Sequence, residues 1–153
     1  MRIDTKFFGT VEVDESEILV FYQGIPGFEN YRRFIISEYR PESPFFILQS
    51  VDLPELALIM IEYRKVVPDF TFNISDADAA ELGMEQSGDA AVFAIVVLPT
   101  DIMKATVNLA APVLINQTGR RGKQVFINNP NFSLRHPLFD PYDSVMMKKT
   151  VAR

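Results

Sequence analysis

Catalysis needs side chains that take a proton, hold a metal or attack an electrophile, and this chain is short of them. It has one histidine, His136, and no cysteine, so an imidazole- or thiolate-based zinc site cannot be assembled within one chain. His136 precedes Pro137 and reads as a hydrogen-bonded structural residue rather than a general base. Asp76-x-Asp78 lacks the glycine and terminal glutamate of a calcium loop, and helix capping explains it better. Gly24-x-x-Gly27 contains Pro26 and is too short for a phosphate cradle. Carboxylate pairs such as Asp14-Glu15 read as solubilising charge. No metal, cofactor, small-molecule substrate or enzymatic activity is therefore expected.

The basic cluster is more informative. Arg120, Arg121 and Lys123 fall within four residues, with Lys104 and Arg135 on the same C-terminal stretch and Phe126 and Phe132 between. Basic side chains beside aromatic rings suit phosphate contacts with base stacking. That makes an RNA-binding β domain acting directly on transcripts the competing functional class. Against it stands a net charge of −5, since nucleic-acid binders usually carry a basic excess. The charge is also uneven. Residues 1–101 hold 18 acids and 7 bases, a net of −11, whereas residues 102–153 hold 2 acids and 8 bases, a net of +6. Such asymmetry can steer a charged partner unless folding mixes the two segments over one surface.

The elements that must carry these residues are mostly strands. Val11–Val13, Ile18–Tyr22, Arg33–Ile36, Phe45–Val51, Ala57–Ile61, Ala91–Leu98, Ala105–Leu109, Val113–Ile115 and Gln124–Ile127 are short runs rich in Val, Ile, Phe and Tyr. Gly, Pro, Asp or Asn bounds them, and this is strand character at regular spacing. The expected fold is a small, mostly β, antiparallel barrel-like single domain with one or two short helices. Gly9-Thr10 predicts one tight hairpin, and Gly119 and Gly122 predict another with the arginines at or beside its turn. Ser75 to Leu82, ended by Gly83, reads as a capped helix, and Pro26 to Arg33 as a second helical turn.

With 153 residues and 48% hydrophobic content the chain can own one core. Its longest apolar run, Ala90–Leu98, is ended by Pro99 and falls far short of the roughly 20 residues that span a bilayer. The charged N-terminal residues do not resemble a secretory signal. A cytoplasmic protein, with no membrane partner, is expected.

Six stretches in order resemble the FliW flagellar assembly factor family. They are Gly24-Ile25-Pro26-Gly27-Phe28-Glu29; Leu48-Gln49-Ser50-Val51-Asp52 with Pro54; Pro68-Asp69-Phe70; Val107 to Pro112 with Ile115-Asn116; Arg120 to Val125; and Arg135-His136-Pro137-Leu138. The sequence departs from the family pattern at Tyr22, Leu58 and Glu62-Tyr63, and after Leu138. Residues 1–138 are accordingly expected to form the β domain, with 139–153 a peripheral tail. The resemblance implies a non-catalytic regulator that binds flagellin and also CsrA, the carbon storage regulator that represses flagellin translation. Flagellin would occupy the factor until export frees it to disable the repressor, with no direct contact to nucleic acid. Phe28, Leu48 and Val51 read as core. The polar members are the better interface candidates: Asp52, Asn108, Asn116, Arg120, Arg121, Lys123 and Arg135. Turn or barrel-rim hydrogen bonding can also account for Asn108 and Asn116.

Overall fold

Strands rich in β-branched and aromatic residues on both faces need cover on both faces, and the fold supplies it. The computed structural model describes residues 1–71, 73–84 and 90–139. Strands β1 (Arg2–Thr5) and β2 (Gly9–Glu12) form a separate N-terminal hairpin. A meander follows through β3 (Leu19–Val20), β4 (Arg33–Glu38), β5 (Phe45–Ser50), β6 (Ala57–Glu62), β7 (Ala91–Val97), β8 (Thr106–Asn116) and β9 (Arg121–Gln124). Each neighbour along it is antiparallel. The ring closes where β3 meets β9 in parallel, Val20 opposite Arg121. The result is the expected mostly β barrel, closed by seven strands, with one parallel seam. A short β10 (His136–Pro137) pairs with the start of β8 outside the ring. Helices α1 (Tyr63–Val66) and α2 (Asp76–Leu82) complete the described elements.

The lumen is filled from strand after strand: Leu19, Phe34, Leu48, Met60, Phe93, Val113 and Ile115 form one buried cluster with Phe21. Leu48 stands directly opposite Leu58 and Met60 opposite Ile95, so the inward faces interlock across the ladder. The outer faces are covered three times over. The N-terminal hairpin lays Ile3 and Val13 on Ile35. Helix α1, the segment after it and the C-terminal segment lay Tyr63, Phe70, Leu138 and Phe139 on Phe45, Val96 and Val107. Helix α2 and the residues that follow it lay Leu82 and Met84 on Leu114 and Val125. Double cover is why the strands read as continuous apolar runs rather than as alternation.

Several sequence expectations shift by local chemistry. The first hairpin turns at Lys6–Phe8, and Gly9, at φ +67°, pairs with Thr5 as the first residue of β2. The two runs expected at 105–109 and 113–115 are one strand, β8. It tolerates Pro112 because Ala94 alone on β7 faces Leu109–Pro112, an irregularity that asks no ladder hydrogen bond of the proline. The stretch from Pro26 is not helical. Gly24 and Gly27 take positive φ, and a Cβ on Gly24 would lie 2.6 Å from the Glu29 backbone. That tight turn leaves Phe28 exposed rather than in the core, whereas Leu48 is buried. Helix α1 begins at Tyr63, one of the departures from the family pattern. Its buried hydroxyl donates to the Leu109 carbonyl at 2.6 Å. His136 is exposed, held by backbone pairing. Phe139, placed at the head of the expected tail, is 2% exposed within the core; positions 140–153 lie outside the described residues.

Candidate functional site

The β8–β9 hairpin is where the candidates converge. Asn116, the last residue of β8, is 5% exposed. Its amide donates to the Leu82 carbonyl at 2.8 Å and its oxygen accepts from the Gly119 N–H at 3.2 Å. One side chain thus ties the turn to the end of α2. A Cβ on Gly119 would lie 2.6 Å from that amide, so any larger residue would have to displace the Asn116 side chain. Arg120 follows at φ +55°, a left-handed conformation that L-residues avoid. Its carbonyl accepts from Val20 N–H at 2.9 Å, closing the barrel. The turn is therefore clamped on both sides.

That clamp fixes a groove of about 480 Å³ between the turn and β3, with Glu15, Val20, Tyr22, Arg33, Arg120 and Arg121 in its lining. The Arg120 guanidinium donates to the Glu15 backbone carbonyl at 3.3 Å. Arg121 donates to the Glu81 carbonyl at 3.2 Å and lies 5.3 Å from the centre of the Tyr22 ring. Carbonyl and ring contacts orient a guanidinium without neutralising it. Arg33 differs. It grips Asp52 with two nitrogens, at 2.5 and 3.2 Å. The hydrogen bond to Asp52 raises its pKa against an opposing burial effect. The groove therefore offers, beside an aromatic ring, two oriented cations that form no ion pair among the described residues, which suits carboxylates on a protein partner.

The remaining candidates part from this group. Lys123 sits between Asp78, at 2.7 Å, and Glu81 of α2. Burial pulls its pKa down, but those two carboxylates outweigh burial and raise it. The three-residue basic cluster thus divides: two arginines face the groove, and the lysine is neutralised. Asn108 accepts from the Ala110 and Ala111 N–H groups at 3.0 and 3.1 Å, holding the irregular middle of β8. Arg135 is exposed beside β10, at the far end of β8. Phe132 packs against the Tyr63 and Phe70 rings instead of joining the arginines. Sequence reasoning missed Arg33, whose only signal was a charge opening an apolar strand run. Tyr22 was visible only as a departure from a pattern. Among the described residues no cluster of three or more His, Cys, Asp or Glu could hold a metal, and no helix is long and apolar enough to cross a membrane.

A family model described as FliW protein matches residues 2–138, which takes in the whole barrel, the hairpin and the groove. The chain belongs to the FliW family. The flagellar assembly factor FliW of Caldicellulosiruptor saccharolyticus is 38% identical over 146 residues, 95% of each chain. That of Clostridium botulinum (strain Okra / Type B1) is 33% identical over 139 residues, 91% of this chain and 97% of the relative. A crystal structure of the flagellar assembly factor FliW superposes with a TM-score of 0.86 at 35% identity, covering 93% of this chain and 99% of that one.

Within the family pattern, several quoted residues turn out to hold the backbone. Gln49, 2% exposed, donates to the Ser50, Pro54 and Leu56 carbonyls and accepts from Lys6 N–H, stitching the N-terminal hairpin to the β5–β6 turn. Ser50 accepts from Asp52 and Leu53 N–H in that turn, which presents Asp52 to Arg33.

Proposed function

We propose that this chain is a non-catalytic flagellar assembly factor of the cytoplasm that binds flagellin and antagonises the translational repressor CsrA, exchanging one partner for the other. The observation that carries this reading is the family match running unbroken through the barrel, with relatives named as flagellar assembly factors over nearly their full length. The geometry adds a working surface. Arg120 and Arg121 are held by backbone contacts and form no ion pair among the described residues, which supports recognition of a charged protein partner.

The test is calorimetric titration of purified flagellin and of CsrA into the full chain. Binding of both, with each weakening the other, is the expected result. Arg120→Glu should weaken at least one partner about tenfold, the scale of a charge reversal at an interface rim. Arg120 is the cleaner position, because Arg121 also anchors the end of α2. Unchanged affinity for both partners would remove the groove from the interface. A gel shift of flagellin leader RNA by this chain alone, without CsrA, would support direct action on transcripts instead.

A further inference from the structure

A second groove lies at the other end of β4 from Arg33. At about 3.3 Å per residue, it is roughly 20 Å from the arginine site. It holds about 450 Å³ between the β1–β2 turn, the β4–β5 turn and the segment after β7. Its walls are apolar and its members large: Phe7, Leu98 and Ile102 are 40%, 39% and 41% exposed. Tyr39 meets the Phe7 ring edge-on at 6.3 Å, over a floor that includes Phe45 and Ile59. Scattered exposed apolar residues need no explanation, but a concave set sharing one groove does.

The rim names the chemistry of the occupant. Lys6 stands 5.5 Å from the centre of the Phe7 ring and Arg40 5.2 Å from that of Tyr39. Both cations line the groove, and among the described residues no carboxylate does. Nearby Asp101 is committed to capping the Met103 N–H. In a chain of net −5, an apolar groove whose charged lining residues, among those described, are Lys6 and Arg40 is a local inversion of the overall field.

We propose that this groove docks an amphipathic protein segment that inserts two or three apolar side chains and sets Asp or Glu beside them against Lys6 and Arg40. A second copy of the chain is disfavoured, because a two-fold contact here would bring like-charged rims together. A lipid surface is disfavoured by concavity and by the net negative charge of the chain. The chain's own residues 140–153 carry three bases to two acids, the wrong sign. The site is independent of the arginine groove, so it stands or falls apart from the flagellin and CsrA reading.

The test pans a displayed library of random 12-residue peptides against the immobilised full chain. Enriched sequences, made as labelled peptides, are then measured by fluorescence anisotropy. Apolar residues flanked by Asp or Glu should dominate. Ile102→Glu and Arg40→Glu should each weaken binding at least tenfold, whereas Lys65→Glu, an equal charge change on α1, should not. Melting curves establish that the variants fold, and exposed Arg40 carries the comparison if Ile102→Glu lowers the melting temperature. Enrichment of basic or uncharged peptides, or binding that survives both variants, overturns the proposal. So does a dimer in sedimentation equilibrium that Ile102→Glu abolishes, or co-flotation with phosphatidylglycerol vesicles lost in the same variant.

Discussion

Arg120 holds a left-handed backbone at φ +55° one position after Gly119, where a second glycine would avoid a cost of about 1–2 kcal/mol. On the proposed reading, that strain is kept because the surface uses the arginine side chain. Arg120→Gly should accordingly raise stability by about 1 kcal/mol in urea unfolding while weakening partner binding in the same preparation. A stable variant with full affinity would strip the arginine of that role. Tyr63 makes a second residue-scale prediction. Burial pushes its hydroxyl pKa up to about 12. In the unfolded chain it titrates near 10. The unfolded state therefore loses the proton first, and stability present below pH 10 declines as the pH rises towards 12. Tyr63→Phe should cost about 1 kcal/mol at pH 7, through the hydrogen bond lost to the Leu109 carbonyl. It should also flatten the alkaline decline. Wild type and variant falling in parallel above pH 10 would place the titrating group elsewhere.

Helix α2 is the element that links stability to the groove. Ser75 caps its first turn by accepting from Asp78 N–H at 3.1 Å, and Gly83 ends it at φ +70°. Its last carbonyls receive Arg121 and Asn116, and its acids receive Lys123. A Cβ at Gly83 would lie 3.0 Å from the Arg121 guanidinium. Gly83→Ala should therefore lower the melting temperature and weaken partner binding together. Ser75→Ala should cost only about 1 kcal/mol of stability. Equal affinity in Gly83→Ala and wild type would sever α2 from the site. This helix was legible in the sequence because caps are local: Ser75, the early acids and Gly83 lie within nine residues. Its partnership with the hairpin was not, because Lys123 and Glu81 are 42 residues apart. The same division holds for the strands. Runs such as Phe45–Ser50 announced themselves because both faces are buried. Strand β1 buries Ile3 alone and gave no run. The parallel seam rests on one residue pair, Val20 and Arg121, which no pattern along the chain encodes. Arg120 and Arg121 stood out as candidates by their charge and flanking glycines, but the pairing of Arg33 with Asp52 and of Lys123 with Asp78 and Glu81 depends on the closed ring.

Across the whole molecule the two charge segments interleave rather than forming separate poles. The basic hairpin of the +6 segment docks on Glu15, Asp78 and Glu81 of the −11 segment. What survives is a local pairing of opposite fields: a groove lined by Arg120 and Arg121 that the acidic stretch from Glu12 to Glu17 enters at Glu15. Within it Glu12 pairs with Arg2. Asp14 accepts from the Ser16 backbone, which holds its carboxyl below the usual range and so charged. The Glu15 and Glu17 carboxylates form no ion pair among the described residues. A repressor docked on the arginines would meet these acids within a Debye length, about 8 Å at physiological salt. RNA approaches its protein through a positive field, so acids placed there oppose it even without covering the RNA site. On the proposed reading, antagonism of CsrA should then be partly electrostatic. Glu15→Gln with Glu17→Gln should preserve CsrA affinity yet restore part of its leader-RNA binding in a ternary gel shift. Added salt should weaken the wild-type effect in the same direction. RNA release that stays complete in the double variant, and is indifferent to salt, would leave steric occlusion or a change in repressor shape as the mechanism.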